Sequence, residues 1–162
     1  MPRSTTRVRV VIDIAFGDVV EPGVQEADLP VLLDFLVPKL RSYLRETVIA
    51  EKFQAMIALG LANSRLKDFY VVWVLIRSRN RGGRASAPIK ATFERRKTET
   101  TSMRPDVLTR LPPRTPAKDQ WAAFTKQVAV DPGPPADVAN NLAEFLMPQT
   151  KKARALKDGA AA

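Results

Sequence analysis

The stretch Glu46-Thr47-Val48-Ile49-Ala50-Glu51-Lys52-Phe53-Gln54-Ala55-Met56, with its continuation through Asn63-Ser64-Arg65-Leu66-Lys67-Asp68-Phe69-Tyr70, decides the fold. It reads as two helices joined by a short turn. At about 100° per residue, Ile49, Phe53, Met56, Ile57 and Gly60 fall on one face of the first helix. Val48 and Leu59 widen that face on one side, Ala50 and Leu61 on the other, and Glu51, Gln54 and Ala58 lie opposite. Lys52 falls inside the apolar arc, between Met56 and Leu59, and is the only charge there. A lysine so placed must snorkel to water, pair with an anion, or shift its pKa. The second helix starts near Asn63 or Ser64, either one a suitable N-cap. The run Val71-Val72-Trp73-Val74-Leu75-Ile76 has strand-like propensity, but the pattern continues unbroken from Leu66 and favours a helix, apolar on nearly every side and therefore buried.

Outward from this pair, residues 7–16 alternate. Val8, Val10, Ile12, Ile14 and Phe16 share one face and Arg7, Arg9, Val11, Asp13 and Ala15 the other, the pattern of a strand with one apolar side. Residues 21–45 read as a connection, with Pro22-Gly23 as a turn and Pro30 unsuited to a central strand. Arg77, Arg79, Arg81 and Arg84 crowd a loop of eight residues with no periodicity. Such a loop either grips phosphates or is simply solvated. Ser86 opens a helix with Pro88 in its first turn and Ile89 and Phe93 as core contacts; Arg95-Arg96-Lys97 at its end suits the helix dipole. A short helix over 105–111, another from Thr115-Pro116 to Val128, a rigid linker at 131–135 and a last helix over Ala136–Met147 follow. Beyond Pro148 the chain is basic and small-residue, and 149–162 is expected to be disordered.

Composition narrows the chemistry. About 45% apolar residues suffice for a core, and no apolar run is long enough to span a bilayer. With no Cys and no His, thiolate zinc sites, disulfides and Ser-His or Cys-His catalysis are excluded. A metal here needs carboxylates and water, which favours Mg²⁺ or Mn²⁺. The net charge of +9 points to a polyanionic partner, and the absence of a secretory leader points to the cytoplasm.

The stretch Glu46–Met56 followed by Asn63–Tyr70 resembles the C-terminal motifs of the AbiEii/AbiGii family of nucleotidyltransferase toxins, members of the polymerase-β-like nucleotidyltransferase superfamily. Three further segments resemble the family in the same order: residues 10–20, 91–99 and 119–124. The resemblance implies an α+β, mainly α protein. Residues 1–37 would be a remnant of the nucleotidyltransferase core, with its strand at about 7–16. Residues 38–148 would form a helical domain, and 149–162 a basic tail. It implies an enzyme of bacterial toxin–antitoxin and abortive-infection systems, acting in phage defence. Such an enzyme transfers a nucleotide from a nucleoside triphosphate to RNA or another acceptor, with Mg²⁺ or Mn²⁺ in the intact family.

By the same resemblance, Asp13 matches an acidic metal-holding strand, Lys52 steadies nucleotide phosphates, and Asp68 places the acceptor or orients Lys52. The family's second acidic residue after Asp68 is replaced by Val71. The family's Gly-Ser and Asp-x-Asp elements do not occur in this sequence. An N-terminally truncated form, inactive alone and binding no metal by itself, is therefore expected. The alternative is a non-catalytic module that binds RNA or a cognate antitoxin. The open apolar strand further implies self-association.

Overall fold

The computed structural model describes residues 9, 11, 23–31, 33–34, 36–78, 85–109 and 117–158. Apart from Arg9 and Val11, the strand expected at 7–16 lies outside them.

The chain is mainly helical with a small antiparallel sheet, the expected α+β, mainly α class. Two strands, β1 (Val24–Asp28) and β2 (Lys39–Tyr43), form that sheet. The segment 21–45, read as a connection, therefore carries two strands. Neither strand has a strong apolar alternation. The pairing instead matches Val24 with Tyr43, Glu26 with Arg41 and Asp28 with Lys39, two of them opposite charges facing each other across the ladder. Pro30 and Pro38 lie outside the strands, and Leu29 N–H closes the end of the ladder on Pro38 O at 3.0 Å. The proline at position 30 marks where the strand stops, as its missing N–H requires.

α1 (Arg45–Leu59) and α2 (Leu66–Arg77) are the two helices read from the deciding stretch. A 3₁₀ turn, Gly60–Ala62, joins them. Gly60 sits at φ 52°, a left-handed conformation that ends α1 with its N–H on Met56 O and that glycine adopts without steric cost. The segment 71–76 is helical, as its continuity with Leu66 predicts. Its burial is one-sided, however: Val72 and Trp73 are buried while Val74 is exposed. Neither Asn63 nor Ser64 caps α2. Asn63 Oδ1 instead accepts Arg65 N–H at 2.9 Å, one residue ahead of the helix.

α3 (Ser86–Arg95), α4 (Asp106–Thr109), α5 (Ala117–Thr125) and α6 (Pro135–Asp158) are the remaining helices among the described residues. α6 crosses α2, α3 and α4, while α1 packs on α2 and α3. The core lies where these meet. Ile49, Phe53 and Met56 of α1 interlock with Phe69 and Val72 of α2, Ile89 and Phe93 of α3, and Leu142 and Leu146 of α6, all essentially inaccessible. The Phe53 and Phe93 rings are 5.4 Å apart and tilted by 42°, within the range of favourable aromatic pairs. Trp121 of α5 is buried and donates its indole N–H to Gly133 O at 3.0 Å, which anchors the linker before α6.

The tail expectation is also corrected. α6 does not stop at Met147 but continues through Pro148 to Asp158. An internal proline forfeits one helix hydrogen bond and costs about 3 kcal/mol. Burial outweighs it: Thr150 and Ala153 are fully covered, Thr150 Oγ1 donates to Leu146 O at 2.8 Å, and Lys90 Nζ on α3 donates to Leu156 O at 3.2 Å.

Candidate functional site

The α1–turn–α2 reversal sets Lys52, in the middle of α1, against Asp68, in the first turn of α2. Lys52 Nζ donates to Asp68 Oδ1 at 2.5 Å. The lysine in the apolar arc thus pairs with an anion. Ile49, Phe53 and Met56 are buried on the same helix, so the methylene stem runs beside the core while the ammonium stays partly wet. The side chains are 26% and 12% exposed respectively, neither sealed off nor freely solvated. Asp68 is well placed for a carboxylate, since the N-terminal turn of a helix carries positive partial charge. An ammonium has three donors and a carboxylate two acceptor oxygens, so this one contact leaves capacity on both groups for a ligand.

Asp13, the third residue expected at the site, lies outside the described residues. So do Arg79, Arg81 and Arg84 of the basic loop. Arg77 is described: it is the last residue of α2, exposed, with its guanidinium carbon 4.7 Å from the Trp73 ring centroid. Trp73 thus holds Arg77 by a cation–π contact. Val71 is half-buried on α2, three residues beyond Asp68.

A second polar cluster, not expected from the sequence, fixes the helix that carries Lys52. Glu51 is bridged by both Arg95 and Arg96 from the end of α3, and Thr92 Oγ1 lies 3.5 Å from the same carboxylate. Gln54 accepts from Arg96 Nη1 at 3.1 Å and donates to Thr98 Oγ1 at 2.8 Å. Glu51 and Gln54 lie opposite the apolar arc, yet residues at the end of α3 meet them and Gln54 is buried. The available signal was complementarity: an acid and an amide on one helix, and the basic run Arg95-Arg96-Lys97 in need of partners. The arginines pair with α1 in addition to facing the C-terminal end of their own helix.

A divalent ion takes about six or more oxygen ligands, several from carboxylates. Among the described residues no three metal-ligating side chains come together. Asp68 is the one carboxylate of the Lys52 pair and is already hydrogen-bonded to an ammonium, so the described residues at this site do not fit a metal.

The described residues thus combine a small sheet, a helical core and a lysine–aspartate pair joining two adjacent helices. A family model described as "Nucleotidyl transferase AbiEii toxin, Type IV TA system" matches residues 2–148. The chain belongs to this AbiEii nucleotidyl transferase toxin family. No curated protein and no solved structure matches it. No helix among the described residues is long and apolar enough to cross a membrane.

Proposed function

We propose that the chain serves nucleotidyl transfer in a toxin–antitoxin system, with Lys52 holding the phosphates of a nucleoside triphosphate and Asp68 positioning Lys52. The transfer joins an acceptor oxygen to the α-phosphorus and breaks the α–β anhydride, with pyrophosphate leaving. A fixed ammonium beside the phosphates offsets negative charge in the bound nucleotide and on the departing pyrophosphate. The observation that carries this reading is the 2.5 Å contact between Lys52 and Asp68, which joins two segments of the family pattern at a partly exposed position. The acceptor in this reading is RNA, met through Arg77, Arg79, Arg81 and Arg84, and an antitoxin is the protein partner. Asp13 stays a proposed acidic residue of the same centre.

The 162 residues contain neither Gly-Ser nor Asp-x-Asp. Phosphoryl transfer of this type uses paired carboxylates to hold two metal ions. This supports nucleotide binding without turnover by the chain alone. The test is titration calorimetry with each nucleoside triphosphate, together with label transfer to total bacterial RNA in Mg²⁺ or Mn²⁺. Weak binding that falls at least about tenfold in Lys52→Ala, equivalent to about 1.4 kcal/mol, is expected, with no transferred label. Binding unaffected by Lys52→Ala removes the lysine from the site. Label transfer that Asp13→Ala or Lys52→Ala abolishes shows the chain to be an enzyme by itself.

A further inference from the structure

A second site lies away from the Lys52–Asp68 pair. α3 ends in a reversal in which Lys97 N–H bonds to Glu94 O at 3.1 Å and Thr98 N–H bonds to Phe93 O at 2.8 Å. This two-bond helix ending places its reversing residue in the left-handed region, where glycine is the usual occupant. Here that residue is Lys97, at φ 50°. The turn itself gives no reason for a lysine, since glycine would make it with less strain. What the lysine adds is an ammonium, and it lines an open groove of about 520 Å³ between α3 and the last turns of α6.

Lys90, Lys97 and Arg154 bring three cations to this groove, Glu94 and Glu99 two carboxylates, and Thr98 and Thr100 two hydroxyls. The buried Phe93 and Ala153 form its floor. Among the described residues, neither Lys97 nor Arg154 has an ion-pair partner. Lys90 gives one of its three hydrogens to Leu156 O at 3.2 Å and so ties α3 to the end of α6. The groove exists because α6 continues past Pro148; a tail without structure would leave only the α3 side.

We propose that this groove binds a nucleotide unit, with its phosphate on Lys97 and Arg154. A guanidinium offers a planar fork of donors matched to phosphate oxygens, and the ammonium a compact charge beside it. A bare inorganic anion would meet Glu94 and Glu99 as well as the cations. A nucleotide carries its own O–H and N–H donors on sugar and base, and those satisfy carboxylates while the phosphate satisfies the cations. The volume falls within the range of small-molecule sites, about 300–1,000 Å³. The lining offers no exposed aromatic ring, so base stacking contributes nothing here. The unit comes either from free nucleoside triphosphate or from single-stranded RNA. The inference does not rest on the role proposed for Lys52.

The experiment uses the full chain, with and without Lys52→Ala, and two probes: a fluorescein-labelled octaribonucleotide of mixed sequence, read by anisotropy, and ATP, read by calorimetry. The variants are Lys97→Gly, Arg154→Gln and the two combined. Lys97→Gly is expected to keep or raise the melting temperature, because glycine suits the backbone, while weakening binding. The combined variant is expected to bind at least tenfold more weakly at low salt in both backgrounds. Its log–log salt slope should flatten by about 1, as loss of one or two phosphate contacts on a single strand requires. A loss confined to the octaribonucleotide identifies an RNA strand as the source, and a loss confined to ATP identifies the free nucleotide. If the combined variant binds both probes as tightly as the unchanged chain, or the unchanged chain binds neither, the groove is not a nucleotide site. Loss of ATP binding in Lys52→Ala alone bears only on the other site.

Discussion

Removing either member of the Lys52–Asp68 pair is the most direct probe of how α1 and α2 are held. Exposed ion pairs contribute about 0.2–1 kcal/mol, and breaking a fully buried pair costs about 3–5 kcal/mol. At 26% and 12% exposure this pair lies between those limits. Asp68 is the more enclosed partner, so depriving it of its cation is the costlier change. Lys52→Met keeps the apolar stem against the core and leaves the carboxylate unmatched; about 2–3 kcal/mol of destabilisation is expected. Asp68→Asn keeps the shape and a hydrogen-bond acceptor, and the Lys52 ammonium can turn toward water, so about 1–2 kcal/mol is expected. The double variant removes both charges and should recover part of the loss, giving a coupling energy of about 1–2 kcal/mol. Urea denaturation of the four chains, with slopes compared to confirm an unchanged transition, measures this directly. Effects that add to within about 0.3 kcal/mol would show that the two side chains do not interact in solution, and the geometric basis of the candidate site would go with them.

Two further substitution sets test the core and the helix end. Phe53→Ala and Trp73→Ala should each cost about 3–5 kcal/mol, since both side chains are enclosed by α1, α2 and their neighbours; denaturation showing under about 1 kcal/mol for both would refute the two-helix core. Pro148→Ala should stabilise by about 2–2.5 kcal/mol, because alanine restores a helix N–H and suits a helix interior, against a smaller loss from a freer unfolded chain. A stop after Met147 should lower the melting temperature by removing the buried Thr150 and Ala153; an unchanged melting curve would mean that the end of α6 contributes nothing.

The helical hairpin was legible because its information is local. Ile49, Phe53 and Met56 recur at helical spacing, and the run after Leu66 continues one pattern; Gly60, read as part of the first helix's face, instead ends that helix in a left-handed conformation. The lysine inside the apolar arc was equally legible as an anomaly that had to be resolved. Sequence could not choose among snorkelling, pairing and a pKa shift, because the choice depends on what another segment brings within reach. The fold supplies Asp68, sixteen positions along the chain, once α2 turns back on α1.

The features decided only by tertiary structure have the same cause. Periodicity places Glu51 and Gln54 opposite the apolar face and says nothing of Arg95 and Arg96, which meet them there. The strands Val24–Asp28 and Lys39–Tyr43 carry little apolar alternation, and their register is held by opposed charges that are adjacent only in the folded hairpin. Pro148 signals the end of a helix by the local rule, yet α6 runs on because Thr150 and Ala153 are buried. Periodicity reports which residues a segment must hide, and so by itself it determined the helices and their inward faces. Which polar groups find partners, and whether burial outweighs a local breaker, depends on contacts between segments distant in sequence, and those exist only once the chain is packed.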